Sequence, residues 1–353
     1  MFLKPSNLKC EYCSEPIGID NPFPRFEWIL EDSERGKATN AYRLIVASCK
    51  KNLENGIYDM WDSGMVLNER SNSCIYEGQH LIERNGYAWR VMVWDKSGMS
   101  GAWSEMAYFE TGFFNVDRWK TGWITATNSL KHVRKEIFID TCKTVLKARM
   151  YIASTSGATG IIGNRMNLYE LRMNGTKIGN DIMNPGQLIC KNDKALYRTY
   201  DVTKCLQPGE NAVGIIFLSG RLSLRLLIVY SDGTVCEDQT DGTWKQDGQG
   251  PYLSLWYKSS EHAGGQGEVY DARNELTGWD YAGYDDTCWS QAKVTEAPER
   301  LFAQLQSIHI FDILKPKTIV SPFPGLHIVD FGHNIHGHVQ ISVKGISGTS
   351  VTL

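Results

Sequence analysis

Five carboxylates crowd one stretch of the chain, VYDARNELTGWDYAGYDDTCW, at Asp271, Glu275, Asp280, Asp285 and Asp286. Two carboxyl groups facing each other across a cleft can cleave a glycosidic bond, one supplying a proton and the other acting as base or nucleophile. The spacing alone does not build such a pair. Adjacent acids after a Gly-aromatic step cap short turns, and a Trp three residues on tucks beneath them. No residue is therefore assigned a catalytic role. The same stretch interleaves Trp279, Tyr281, Tyr284 and Trp289 with the acids, and aromatic faces beside hydrogen-bond acceptors are suited to holding neutral sugars. Trp279, Asp280, Tyr284 and Asp285 are the candidate carbohydrate-binding residues. The competing reading has Trp289 and Asp286 pin the loop from inside, with no pocket left.

A second group lies in DFGHNIHGHVQISVKG, where His333, His336 and His338 could bring imidazoles together on a strand and its preceding turn. No carboxylate or Cys follows at ligand spacing. Gly332 and Gly337 bracket a turn, and Val339, Ile341 and Val343 alternate with Gln340, Ser342 and Lys344, so the segment reads as turn then half-buried strand. No metal and no cofactor are expected. Cys10 and Cys13 form a C-x-x-C without a second pair or a surrounding βαβ pattern, which reads as chance spacing. Phosphate-loop, nucleophile-elbow, zincin and dinucleotide fingerprints are absent from the sequence.

The totals narrow the partners. Lys+Arg 37 against Asp+Glu 40 gives a net charge of −3, and no basic run stands out, which argues against nucleic acid and against an anionic membrane surface. MFLKPSNLKC contains no apolar signal region, and the longest apolar run, LSLRLLIVY, is broken by Arg225. Nine cysteines, an odd and scattered set, suit free thiols in a reducing compartment and hence a cytoplasmic location.

The elements that must carry these residues are strands. Over residues 1–113, AYRLIVAS, YAWRVMVWD and AYFETG alternate in the manner of a fibronectin type III-like or immunoglobulin-like sandwich, with WDSG as a turn and no convincing helix. Tyr87, Trp89, Val91 and Val93 share one face there, and Trp28, Trp89 and Trp94 read as core or edge packing. Residues 114–305 carry RKEIFID, LKARMYIAS, NLYELRMNG, NAVGIIFLSG and SLRLLIVYSDGT, punctuated by Asn174-Gly175 and Asp232-Gly233, dipeptides suited to type I′ turns. This is an antiparallel jelly-roll, galactose-binding-like unit. Residues 306–353 are too few to close a sandwich and read as the truncated start of a third. The fold class is all-β, a tandem of antiparallel β-sandwiches.

The order of motifs resembles one family. LKCEYCSEPIGIDNPFPRFEWIL, WDSG, YAWRVMVWD and AYFETG are similar to the first domain of the bacterial α-L-rhamnosidases. YELRMNGTKIG, YRTYDVTKCLQPGENAVGIIF, GEVYDAR and GWDYAGYDDTCW resemble their second, jelly-roll domain, and DFGHNIHGHVQISVKGISGTSVTL resembles the start of their third. Two features depart from the family pattern: a shortened loop after GIIF, and His333 and His338 where the family more often has Gln and Trp. The resemblance implies a parent enzyme that removes terminal α-L-rhamnose from glycans or glycosides with inversion, by carboxylates on a helical (α/α)6 barrel absent from this sequence. It implies as partners that C-terminal catalytic domain and an L-rhamnose-containing glycan or glycoside. The chain itself is then a non-catalytic N-terminal portion, inactive alone. The alternative is a free-standing carbohydrate-binding or structural β-sandwich protein.

Overall fold

A computed structural model describes residues 4–31, 39–67, 72–115, 119–126, 131–155, 169–180, 194–217, 220–247, 250–255, 268–306, 310–335, 337 and 339–353. Two β-sandwiches follow one another. In the first, a three-stranded sheet of Lys4–Cys10, Arg25–Glu31 and Ser73–Ile75 packs on a six-stranded sheet. The larger sheet runs in the order Ile17–Ile19, Ala107–Thr111, Gly86–Asp95, Thr39–Ala47 and Trp61–Asp62, with Val66–Leu67 also pairing with Thr39–Ala47. Period-two alternation turns Tyr87, Trp89, Val91 and Val93 inward. There Phe26 from the smaller sheet meets the Trp89 ring at 4.6 Å.

Two local expectations are corrected. A short helix, Lys50–Glu54, interrupts the strands: the Cys49 sulfur accepts from the Asn52 N–H, and Asp59 holds the preceding turn through Ser48 N–H at 2.9 Å. Trp61 and Asp62 form a strand rather than a turn, pairing with Val46 and Ile45. Arg43 fixes that edge by a bond to Asp62 at 2.9 Å.

The second sandwich faces a seven-stranded sheet against a six-stranded one. The former is built on Ile124–Ala126, Gly220–Tyr230, Val145–Thr155 and Lys194–Asp201, and the latter on Tyr169–Met173, Gly209–Phe217, Lys131–Ile139 and Lys245–Asp247. Met150, Ile152, Leu224 and Leu226 from one sheet and Val133, Leu171, Val213 and Ile215 from the other fill the core between them. The Asn174-Gly175 turn has both residues at positive φ, 48° and 78°, as a type I′ turn requires. At Asp232-Gly233 only Gly233 is at positive φ, 84°, so the hairpin is there but the I′ turn is not.

The two sandwiches are stitched by a buried ion cluster. Arg149 reaches the fully buried Glu110 through Nε and Nη2 at 3.0–3.2 Å, and Lys147 approaches the same carboxylate at 3.5 Å. Tyr197 Oη donates to the Gly18 carbonyl and accepts from the Phe113 N–H, both at 3.1 Å. Gly18 lies at φ 89°, and a Cβ there would stand 2.0 Å from Thr199 Oγ1, so only glycine allows this approach.

Beyond residue 310 packing nearly stops. Thr318–Phe323 and Leu326–Asp330 pair as a hairpin whose every side chain is exposed. The expected strand at Val339, Ile341 and Val343 is not formed among the described residues, and all three side chains are exposed. Alternation marks a strand only where a neighbouring strand takes its backbone hydrogen bonds. His333 is exposed, and His336 and His338 lie outside the described residues.

Candidate functional site

The aromatic-acidic loop lies across the outer face of the six-stranded sheet of the second sandwich. Strand register explains its shape. Arg172, Gly214, Arg134 and Lys245 stand side by side on four neighbouring strands, forming one row across the sheet. Arg134 and Lys245 are directly opposite, a like-charged pair that costs stability unless an anion comes between them. The loop supplies it: Asp286 binds Lys245 Nζ at 2.7 Å and Arg134 Nη1 with its other oxygen. Asp280 accepts from Arg172 Nε at 2.5 Å.

Arg134 is the centre of the arrangement. Its guanidinium is buried and donates from Nε to the Trp279 carbonyl at 2.8 Å and from Nη2 to the Tyr281 carbonyl at 2.9 Å and to Glu136 at 2.6 Å. The Tyr284 ring lies 5.5 Å from it, within cation–π range. Glycine at 214 leaves the space that Trp279 occupies, since a Cβ there would meet the indole at 2.7 Å. The indole packs on Ile216, stacks with Trp289 at 6.4 Å and receives the edge of His132 at 4.8 Å. Burial drives the His132 imidazole down to about 4, and its Nδ1 has no hydrogen-bond partner among the described residues. It is a neutral packing group.

Each of the five acids in the stretch has a donor, Asp280 and Asp286 from the sheet and the other three from the loop itself. Asp271 caps the 3-10 turn Ala272–Asn274, and Arg273 holds its carboxyl down at about 2. Glu275 accepts from Tyr270 Oη at 2.6 Å. Asp285 accepts from the Thr287 N–H and hydroxyl at 3.1 and 2.7 Å, which lowers it. Burial works to raise Asp286, but the bonds from Lys245 and Arg134 outweigh it and leave it lowered. A general acid for glycoside cleavage must instead keep its proton near neutrality. Asp271, Asp285 and Asp286 are moved the wrong way for that work.

The four residues expected to contact sugar thus fall into two pairs. Trp279 is 7% and Asp280 4% exposed, the first covered by the loop and the second committed to Arg172. Tyr284 is half-buried, its ring edge-on to Trp289 at 5.8 Å, and Asp285 is exposed at a turn. The most open ring of the loop is Tyr281, 54% exposed. The sequence reading missed Arg134, Arg172, Lys245 and His132, which lie on strands far from the loop in sequence. One signal was present: five acids with Arg273 as the only cation in that stretch require cations from elsewhere.

Residues 5–115 match the domain family described as Rha78A-like, N-terminal immunoglobulin domain. Residues 143–310 match the alpha-L-rhamnosidase N-terminal domain. An alpha-L-rhamnosidase of Formosa agariphila is 32% identical over an alignment 379 positions long, gaps included, covering 95% of this chain and 38% of that protein. A second, from Streptomyces avermitilis, is 22% identical over 99% of this chain and 51% of its own length. Among solved structures, the alpha-L-rhamnosidase from Dictyoglumus thermophilum has a TM-score of 0.79 at 31% identity, covering 93% of this chain and 38% of that one. The chain spans about two fifths to a half of the length of these relatives.

Proposed function

Because the chain carries, in order, the N-terminal immunoglobulin and N-terminal domains of α-L-rhamnosidases, we propose that it serves as the non-catalytic β-scaffold of an enzyme that hydrolyses terminal α-L-rhamnosides. The single observation behind this reading is the collinear match to rhamnosidases over 95% of the chain at 32% identity. The site geometry supports it, since every carboxylate in the acidic stretch is spent on internal bonds. The loop then acts as a clasp that stiffens the outer sheet of the second sandwich. The exposed apolar side chains after residue 310, Ile319, Val320, Ile328 and Ile341 among them, suit burial against a further domain, and in this reading that domain belongs to the catalytic part of the enzyme.

Incubation of the pure chain with an aryl α-L-rhamnoside tests the non-catalytic role. No release of the aryl group is expected. Release that disappears in Asp285→Asn or Asp286→Asn would overturn it.

A further inference from the structure

Cys10 and Cys13 take no part in the clasp or in the junction between sandwiches. They face each other across a two-residue turn: Cys10 N–H donates to the Cys13 carbonyl at 2.9 Å and Cys13 N–H to the Cys10 carbonyl at 3.0 Å. Between them Glu11 and Tyr12 take φ of 48° and 64°, the left-handed pair of a type I′ turn, although neither is the Gly or Asn that such a turn favours. The turn is held from outside. Glu11 accepts from Arg25 N–H at 2.7 Å and from Asn21 Nδ2 at 3.1 Å. Residues that exchange both backbone hydrogen bonds lie with α-carbons about 5.5 Å apart and side chains on one face, inside the ~4.4–6.8 Å span that a disulfide bridges. Cys74 shares the row but not the reach. Cys10 pairs with Phe26 and Phe26 with Cys74, so two strand spacings, roughly 9.5 Å, separate Cys74 from Cys10.

We propose that Cys10 and Cys13 are a thiol–disulfide redox pair, a modification site that closes reversibly across this turn. The oxidant is a small disulfide of the glutathione class. The thiolate of Cys13, the less buried of the two, attacks one sulfur of oxidised glutathione and expels a glutathione thiolate. The Cys10 thiolate then attacks Cys13 Sγ, forms the Cys10–Cys13 bond and expels the second. Both protein thiol protons pass to the two departing thiolates, and two electrons go to glutathione. Burial raises both cysteines, Cys10 strongly, so thiolate is scarce at neutral pH and closure is slow. The closed form has a consequence at a distance in sequence. The Gln306 side chain lies near enough to Cys13 to lower its thiol, and the adjacent Leu305 packs on the first core. Drawing the Cys13 sulfur to Cys10 changes that contact, so the turn's redox state reaches the segment that leaves the second sandwich.

The test uses the whole chain, equilibrated in oxidised and reduced glutathione at stepped ratios, then unfolded, alkylated and digested. At the oxidising end the peptide holding both cysteines should lose both alkylation sites together and weigh about 2 Da less than its reduced form, for the two thiol hydrogens. The rate should rise roughly tenfold from pH 7 to 8, with the thiolate fraction. Cys13→Ser should leave Cys10 fully alkylated at the same ratios, and Cys74→Ser should change nothing. The proposal is overturned by a doubly alkylated peptide where the exposed Cys49 and Cys142 already carry glutathione, by glutathione held on Cys13 without closure, or by a Cys10–Cys74 link. Because the wild-type peptide gives the primary reading, a variant that folds poorly does not blunt the test.

Discussion

The loop over residues 271–291 and the segment over residues 310–353 are built from similar materials, aromatic and aliphatic side chains with scattered charges. Their fates differ. The loop meets a prepared surface: a row of Arg172, Arg134 and Lys245 to bind its acids, and Gly214 as a floor for Trp279. The C-terminal hairpin meets none, and Ile319, Val320, Phe323 and Ile328 stay more than half exposed. Charge decides the first case through complementarity, because a buried cation is tolerated only when its donors are satisfied. Apolar content alone does not settle the second. Burial is a property of two surfaces, and a strand's own pattern describes one of them.

The largest effect expected from this contrast is at Arg134. Arg134→Met keeps most of the volume but strips partners from Asp286, Glu136 and the Trp279 and Tyr281 carbonyls. Breaking one side of such a buried network costs about 3–5 kcal/mol. Urea denaturation should show a loss of that order, and a change under 1 kcal/mol would mean that the clasp adds little. The matched substitution in the other region, Val343→Ser, should stay within about 0.5 kcal/mol, as exposed positions do. Equal losses at the two sites would erase the contrast.

Acid should act on the clasp next most strongly. Folded His132 titrates near 4 against an ordinary value of 6.5, so between those values the unfolded chain binds the extra proton. Stability from this group is therefore complete above about pH 6.5, falls as pH drops through the window, and is gone below about pH 4, a loss of a few kcal/mol. The lowered Asp286 works in the same direction at lower pH. His132→Leu should flatten the dependence of the denaturation midpoint between pH 6.5 and 4.5. An unchanged slope would remove His132 from the acid response.

Hydrogen exchange compares the regions without mutation. Amides of 318–330 should exchange orders of magnitude faster than those of 87–94 in a dilute monomer, since exposed hairpins open locally at little cost. Comparable protection would mean that the C-terminal segment is packed after all.

Much of the scaffold was legible in the sequence. Alternation located the strand around Trp89 and its buried face, Asn174-Gly175 marked its turn, and the order of short strands gave two sandwiches. The clasp was only half legible. In HVRKEIFID, Val133, Ile137 and Ile139 announce one inward face, and nothing in the strand says that the opposite face at His132 and Arg134 is also buried. Its cover arrives some 140 residues later in the chain, as the bonds from Arg134 to Trp279 and Tyr281 record. The burial of Trp279 was hidden for the same reason: a Gly-punctuated aromatic loop looks open until the surface beneath it is known. The helix Lys50–Glu54 escaped notice because it is a single turn held by Cys49 and by Asp59 just beyond it rather than by any apolar period.

The structural role of the loop is tested most directly by titrating L-rhamnose into the chain while following tryptophan fluorescence and the amide resonances of residues 275–290. A module that held one sugar on this surface would bind at about 0.1–1 mM, so ~20 mM is ample to reveal it. With Trp279 and Asp280 committed to packing and to Arg172, no saturable change is expected up to that concentration. Saturable shifts confined to those residues, and lost in Asp285→Ala or Tyr284→Ala with the denaturation midpoint unchanged, would contradict the clasp and make the loop a sugar platform.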